Sequence, residues 1–261
     1  MLTEEKINNI IKETLNKYLV ESMQDGFSFE KLDSLNEEDK LNYCIKYLGE
    51  PIGNGSSRVV FELDDVQVLK LAHDVNIMYD IGQEQNKEEY IVNRRVNSPL
   101  LTKVLYHADD WSWIISERVI PCTEMDLYKV LGISEYSFRT EEEVDYDYEE
   151  ENPDMLSYSE YTTDKHYNKY GDVASLKELI NVLKQIKKGY NINQIESNEP
   201  LCFNIVINHP WFKELSSLVD TVNLELGDIR IGNLGITLRQ GKPYVVILDS
   251  GLTGNTKHLY Q

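Results

Sequence analysis

Three side chains with oxygen ligands near the C-terminal end have a spacing that suits a metal–phosphate site. Asp228 and Asn233 are five residues apart in a predicted loop, and Asp249 follows Asn233 by sixteen residues. We predict strands over 232–238 and 242–248, joined as a hairpin. Because a hairpin places the start of one strand beside the end of the next, we expect Asn233 and Asp249 to converge, with Asp228 close by. Such ligands suit Mg²⁺, which shares phosphate oxygens with a nucleotide, whereas any one of them alone is equally explained as a polar loop-end residue.

A lysine lies in an otherwise apolar strand nearer the N-terminus. Lys70 is the central residue of the run VLKLA, where burial of its ammonium group is costly unless a carboxylate pairs with it. The helix predicted over 82–96 offers Glu84, Glu88 and Glu89 as partners. A lysine that faces solvent from an edge strand is the alternative interpretation.

A glycine-containing turn precedes this strand. The run Gly53-Asn54-Gly55-Ser56 lies between two predicted strands, and glycine lets backbone amides approach phosphate oxygens without a Cβ in the way. An ordinary hairpin turn has the same pattern, so the run alone does not distinguish a phosphate-binding loop from a turn.

The elements that must position these residues follow from hydrophobic periodicity, which changes along the chain and predicts an α+β fold. We predict helices over 3–19, 36–48, 82–96, 175–187 and 210–222. We predict strands over 47–52, 57–63, 66–72, 103–107, 111–119, 232–238 and 242–248. Residues 139–170 are acidic, rich in tyrosine and poor in aliphatic side chains, and we interpret them as a surface insert with limited core contact.

Composition narrows the classes of partner. The 45 acidic against 26 basic residues give a formal charge of −19, so we expect no binding to nucleic acid or to an anionic membrane. The charge fits either a solvated acidic surface or an acidic face that meets a basic partner or imitates nucleic acid. No apolar run is long enough to span a bilayer or to serve as a secretory signal. The three separated cysteines indicate reduced thiols in a cytoplasm, and we make no prediction of oligomeric state.

Taken in order, these residues resemble the motifs of the protein-kinase superfamily. Gly53–Val60 is similar to the glycine-rich loop GxGxxGxV, with Arg58 in place of the third glycine. Lys70 matches the lysine that pairs the α- and β-phosphates. The resemblance favours Glu89 as its ion-pair partner, with Glu88 as the alternative.

The later motifs follow in the same order. Ser116–Val119 is similar to the gatekeeper and hinge, where backbone groups of Glu117 and Val119 would bind adenine. Leu226–Asn233 is similar to HRDxKxxN, with leucine, glycine and arginine at the places of its histidine, arginine and lysine. Asp249-Ser250-Gly251 stands where DFG would be.

The resemblance implies a two-lobed fold and a role for each of these residues. The expected parts are a helical extension over 1–45, a small antiparallel-sheet N-lobe over 46–119 and a reduced, mainly helical C-lobe over 120–261. The nucleotide-binding residues would be Gly53, Asn54, Gly55, Ser56, Val60, Lys70, Glu117 and Val119. Asp228 would accept the proton of a substrate hydroxyl, Arg230 and Lys70 would offset phosphoryl charge, and Asn233 and Asp249 would hold Mg²⁺ with ATP.

The sequence ends ten residues after Gly251, where many kinases continue with a peptide-binding region. This plan is similar to small bacteriophage kinases that modify host proteins, and more distantly to aminoglycoside phosphotransferases. We therefore expect an ATP-dependent protein Ser/Thr kinase. Two alternatives remain open: transfer of phosphate to a small molecule or of AMP on the same fold, and a non-catalytic acidic binding module.

Overall fold

The computed structural model has an α+β fold. It describes residues 26–55, 57–73, 81–133, 175–251 and 253. The predicted helix over 3–19, the acidic segment 139–170 and Ser56 lie outside these residues. None of the helices within the described ranges is long and apolar enough to cross a bilayer.

The chain divides into two compact units, and both are discontinuous in sequence. Unit 1 contains residues 1–97, 101–119 and 249–261, and unit 2 contains residues 98–100 and 120–248.

Unit 1 is built on a five-stranded antiparallel sheet with the strand order β1-β2-β3-β5-β4. Its strands are β1 (Gly53–Asn54), β2 (Arg58–Glu62), β3 (Gln67–Ala72), β4 (Val104–His107) and β5 (Trp113–Glu117). Its helices are α1 (Phe29–Asp33), α2 (Glu37–Leu48) and α3 (Ile81–Arg95).

The two helices that precede the sheet have side-chain caps at their N-termini. Ser28 accepts a hydrogen bond from the amide of Lys31, and Asn36 accepts one from the amide of Asp39. Both bonds satisfy amides that lack a partner in the first helical turn. Helix α2 ends at Gly49, whose φ of 89° favours glycine.

An apolar core lies between α1, α2 and one face of the sheet. Phe29 packs against Trp113 with 4.6 Å between ring centroids, and Trp113 Nε1 donates to Asp33 Oδ1 at 2.8 Å. Other buried members of this core are Phe27, Leu32, Cys44, Val59, Phe61, Leu69, Leu71 and Ile115. Helices α1 and α2 therefore share the core of unit 1.

Helix α3 covers the other face of the same sheet. Side chains alternate along a strand, so Val59 and Leu71 enter the apolar core while Arg58 and Lys70 point to α3. The approach is close at Gly82, where a Cβ would lie 2.3 Å from the Ser57 carbonyl oxygen. Only glycine permits this packing, which brings the polar side chains of α3 within reach of β2 and β3.

Unit 2 combines helices with a three-stranded sheet in the order β6-β7-β8. Its strands are β6 (Ile120–Pro121), β7 (Leu234–Arg239) and β8 (Lys242–Ile247). Its helices are α4 (Glu124–Leu131), α5 (Leu176–Lys187), α6 (Ile192–Asn198), α7 (Pro200–Asn208) and α8 (Pro210–Val222). Short 3₁₀ turns at Leu226–Asp228 and Ile231–Asn233 lead into β7.

Hydrogen bonds join helix α8 of unit 2 to its sheet and to helix α4. Trp211 Nε1 on α8 donates to the Val245 carbonyl on β8 at 3.1 Å. The His209 ring lies 2.9 Å from the Leu131 carbonyl at the end of α4. The loop that carries Asp228 therefore connects helix α8 to the β7–β8 hairpin, and the Trp211–Val245 hydrogen bond joins these two elements directly.

The structure corrects one predicted element and adds several. The first strand lies at Gly53–Asn54 rather than 47–52, because Tyr47 and Leu48 complete helix α2. Helices α1, α4, α6 and α7 and the short strand β6 are additions to the predicted set.

Phe29→Ala should destabilise unit 1, because it empties a site that is 5% exposed in the core beneath the sheet. We expect a loss of about 3–5 kcal/mol in the free energy of unfolding. Urea titration followed by tryptophan fluorescence measures it. Ile45→Ala on α2, at a side chain that is 37% exposed, should cost much less, and equal losses would contradict this core assignment.

Candidate functional site

The centre of the candidate site is a buried ion pair between strand β3 and helix α3. Lys70 Nζ lies 2.7 Å from Glu89 Oε1, with the two residues 7% and 0% exposed. Strand β3 is central in the sheet, so the alternative of a solvent-facing edge lysine is wrong. Glu89 is the helix glutamate that meets the lysine, whereas Glu88 accepts a hydrogen bond from Thr253 at 2.9 Å.

A second cation shares the same carboxylate. Arg58 Nη1 lies 2.7 Å from Glu89 Oε2 and donates to Asn86 Oδ1 at 3.2 Å. Arg58 Nη2 lies 2.5 Å from Asp249 Oδ2. Burial alone would lower the pKa of this guanidinium, but Asp249 and Glu89 raise it above its ordinary value. Two cations and two carboxylates thus form a charge-balanced cluster in unit 1, which we call the Arg58–Glu89 cluster: Arg58, Lys70, Glu89 and Asp249.

The segment after β8 packs against helix α3. Asp249 Oδ1 accepts a hydrogen bond from the Gly251 amide at 3.1 Å. A Cβ on Gly251 would lie 2.6 Å from the Gln85 carbonyl oxygen, so this position requires glycine. Burial opposes ionisation of Asp249, but Arg58 and Lys70 outweigh it and lower the pKa of this carboxyl. Asp249 is therefore a fixed, charged carboxylate.

The predicted phosphate loop is the turn between β1 and β2. Gly53 pairs with Val60, and the Gly55 amide donates to the Arg58 carbonyl at 2.9 Å, which closes a tight turn. Asn54 pairs with Val59 on the same ladder, and Ser56 lies outside the described residues. Val60 lies directly opposite Lys70 in the β2–β3 ladder.

The predicted hinge begins at the end of β5. The Glu117 amide donates to the Lys103 carbonyl at 2.9 Å, and Arg118 donates from its backbone to the Val66 carbonyl at 2.8 Å. Ser116, at the gatekeeper place, is fully buried. Val119 is the last residue of this part of unit 1.

The predicted catalytic loop lies in unit 2 and is ordered by its own hydrogen bonds. Asn233 Nδ2 donates to the Asp228 carbonyl at 2.9 Å, and the Asn233 amide donates to the Arg230 carbonyl at 2.8 Å. Buried Leu226 and Ile229 anchor the loop, while Arg230 is exposed. The Leu248 amide donates to the Asn233 carbonyl at 2.9 Å, which extends the predicted hairpin to the residue before Asp249.

The candidate residues thus fall into two groups. Unit 1 brings Lys70, Glu89 and Asp249 together, and unit 2 brings Asp228 and Asn233 together. Arg58 was not among the residues predicted for the site, although the period-two pattern of β2 places it on the same face as Val60. Its side chain joins the first group to Asn86, another buried polar residue of α3.

The residues around Asp249 in unit 1 are of the types that could hold a magnesium–nucleotide complex. The Asp249 side chain is 27% exposed, so a hydrated cation can reach it. Within the described ranges, no three or more His, Cys, Asp or Glu side chains cluster tightly enough to hold a metal alone. Mg²⁺ commonly uses one or two carboxylates with waters and substrate phosphates, so a single ionised aspartate can serve as a protein ligand when phosphates complete the shell.

Neither models of known protein families nor curated proteins match this chain.

Glu89→Gln should strongly destabilise unit 1, because two buried cations would lose the charge they share. We expect a loss of about 3–5 kcal/mol in the free energy of unfolding. Urea unfolding of the full chain measures it. Glu88→Gln is the matched control, since glutamine can still accept the Thr253 hydrogen bond. Equal, small losses in both variants would show that the shared pair does not stabilise the unit.

Gly251→Ala should displace the segment that carries Asp249, because the new Cβ would overlap the Gln85 carbonyl. We expect destabilisation by about 1–3 kcal/mol. The control is Gly232→Ala, where an added Cβ meets no atom within 4 Å. Thermal unfolding of both variants decides the matter, and an unchanged Tm for Gly251→Ala would contradict the close packing.

Proposed function

We propose that this protein is an ATP-dependent phosphotransferase with a two-lobed, protein-kinase-like fold, acting on serine or threonine of a protein. The observation that carries the proposal is the buried Lys70–Glu89 pair beside the ionised Asp249. A buried lysine held by a helix carboxylate offers a fixed positive charge to nucleotide phosphates without a cost of ordering at the moment of reaction. We interpret Asp249 as the metal-binding aspartate of such a site.

The turn between β1 and β2 would lie over the phosphates. Gly53 and Gly55 remove side chains where the phosphates would approach, and Val60 adjoins Lys70 on the ladder. The end of β5, with backbone groups of Glu117 and Val119, would bind adenine. These residues supply binding and position, which dominate phosphoryl transfer.

Unit 2 would supply the groups that handle the acceptor. Asp228 would orient the substrate hydroxyl and take its proton, and Asn233 would be the second protein ligand of Mg²⁺. Arg230, being exposed, would reach the transferring phosphoryl group. Magnesium, when bound, would neutralise charge on the phosphates. The hydrogen bond from Asn233 Nδ2 to the Asp228 backbone carbonyl would hold the Asn233 side chain against the loop that carries Asp228.

The proposed substrate is a protein of a host cytoplasm, as the likeness to phage kinases implies. The net charge of −19 favours acceptor proteins or segments that are basic. Nucleic acid and anionic membranes are unfavourable partners for the same electrostatic reason.

Purified protein with γ-labelled ATP and Mg²⁺ should label itself or proteins of a host extract. Asp228→Ala and Asp249→Ala should each lower the rate at least about 100-fold. Asp220→Ala, at an exposed aspartate that pairs with Lys187, is the matched control and should retain the wild-type rate.

Label retained on both site variants would overturn the catalytic assignment. Label from the α- but not the γ-position would indicate AMP transfer instead. Absence of transfer together with absence of ATP binding would leave the acidic binding module as the better hypothesis.

A further inference from the structure

Arg58 occupies the carboxylate that the proposed function assigns to magnesium. Its Nη2 lies 2.5 Å from Asp249 Oδ2, while its Nη1 is held by Glu89 and Asn86. The arginine itself is 6% exposed. It stands at the place where the glycine-rich loop of the kinase resemblance has a residue with no side chain.

Magnesium and Arg58 compete for the same carboxylate, that of Asp249. Mg²⁺ binds carboxylate oxygen at about 2.0–2.1 Å and repels a neighbouring guanidinium. Mg²⁺ at this carboxylate would stand close to the Arg58 nitrogen that lies 2.5 Å from Oδ2, so repulsion between the two cations favours displacement of that nitrogen. Displacement would leave a buried cation with one carboxylate, Glu89, that it already shares with Lys70.

A nucleotide phosphate removes this cost. When Mg²⁺ arrives with phosphate, Arg58 loses one anionic oxygen and gains another. The Glu89 and Asn86 contacts hold Nη1 in place, so only the outer nitrogen of the guanidinium needs to change partner. Guanidinium groups bind phosphate and carboxylate oxygens with similar geometry.

We propose that Arg58 is a phosphate-binding residue that exchanges partners when nucleotide binds. Without nucleotide it pairs with Asp249; when Mg²⁺ binds Asp249 together with nucleotide, Arg58 pairs with a nucleotide phosphate instead. This inference rests on the proposed function, and it adds a residue and an order of binding that the kinase resemblance does not contain. Metal alone binds weakly, and metal with nucleotide binds cooperatively.

The test uses the full chain and two probes. Mn²⁺ replaces Mg²⁺ and is followed by the electron paramagnetic resonance signal of the free ion, without nucleotide. A non-hydrolysable ATP analogue with Mg²⁺ is followed by calorimetry. Arg58→Gln should bind Mn²⁺ about tenfold more tightly and the analogue about tenfold more weakly than the wild type, because one charged hydrogen bond is exchanged. Arg94→Gln removes an exposed arginine of α3 that contacts Tyr90, and both affinities should stay unchanged.

The double variant Arg58→Gln with Asp249→Asn should lose the gain in Mn²⁺ affinity, since the Asp249 carboxylate that would bind Mn²⁺ is replaced by an amide. If Arg58→Gln does not fold, a nuclear magnetic resonance measurement on the wild type still tests the proposal. In nitrogen-15 spectra of arginine side chains, the Arg58 signal, assigned by its loss in Arg58→Lys, should shift with Mg²⁺ and analogue together but not with Mg²⁺ alone.

The outcomes separate the two proposals. If the wild type binds no analogue, the proposed function fails and this inference fails with it. If the wild type binds the analogue but Arg58→Gln binds it equally well, only the inference is overturned. Unchanged Mn²⁺ affinity in Arg58→Gln, or a shift of the Arg58 signal with Mg²⁺ alone, would also overturn it.

Discussion

The desolvation of one carboxylate determines how unit 1 is built. Glu89 is fully buried, and each of its oxygens meets a different cation, one from β2 and one from β3. A buried charge is tolerated only when its partners compensate it, so helix α3 must lie where both strands can reach it. Gly82 and Gly251 permit that position, since a Cβ at either would overlap backbone atoms. The position of helix α3 is thus set both by its close packing and by the need to pair the charges of the Arg58–Glu89 cluster.

The apolar half of unit 1 supports this polar half from the opposite face of the sheet. The alternation of β2 and β3 sends Val59 and Leu71 into the core under α1 and α2, while Arg58 and Lys70 meet α3. Because the two faces are joined through the same strands, a shift of register by one residue would exchange core and site side chains. The hydrophobic core therefore fixes which residues face the cluster.

Periodicity predicted the helices and strands that have strong patterns. β3 and α3 were found because apolar runs and helical spacing are local, and Pro210 marked the start of α8. The first strand was placed too early, because Tyr47 has β-propensity while the Asn36 cap and Gly49 make Tyr47 and Leu48 the end of a helix. The resemblance favoured Glu89 over its neighbour, but spacing could not, since adjacent residues point about 100° apart and the rotation of the helix depends on tertiary packing. The carboxylates that pair with Arg58, those of Glu89 and Asp249, are distant in sequence, so no local pattern could have predicted these ion pairs.

The discontinuity of unit 1 affects how the chain is made. Arg58 and Glu89 are synthesised before unit 2, whereas Asp249 follows only after all of it. At about 5–20 residues per second, the ribosome needs roughly eight to thirty seconds to cover the 160 residues from Glu89 to Asp249. During this time the nascent sheet carries two cations over a single carboxylate, with the groove along α3 that later receives Gly251 still uncovered. Asp249 therefore completes the charge balance of the Arg58–Glu89 cluster only after the residues of unit 2 have been made.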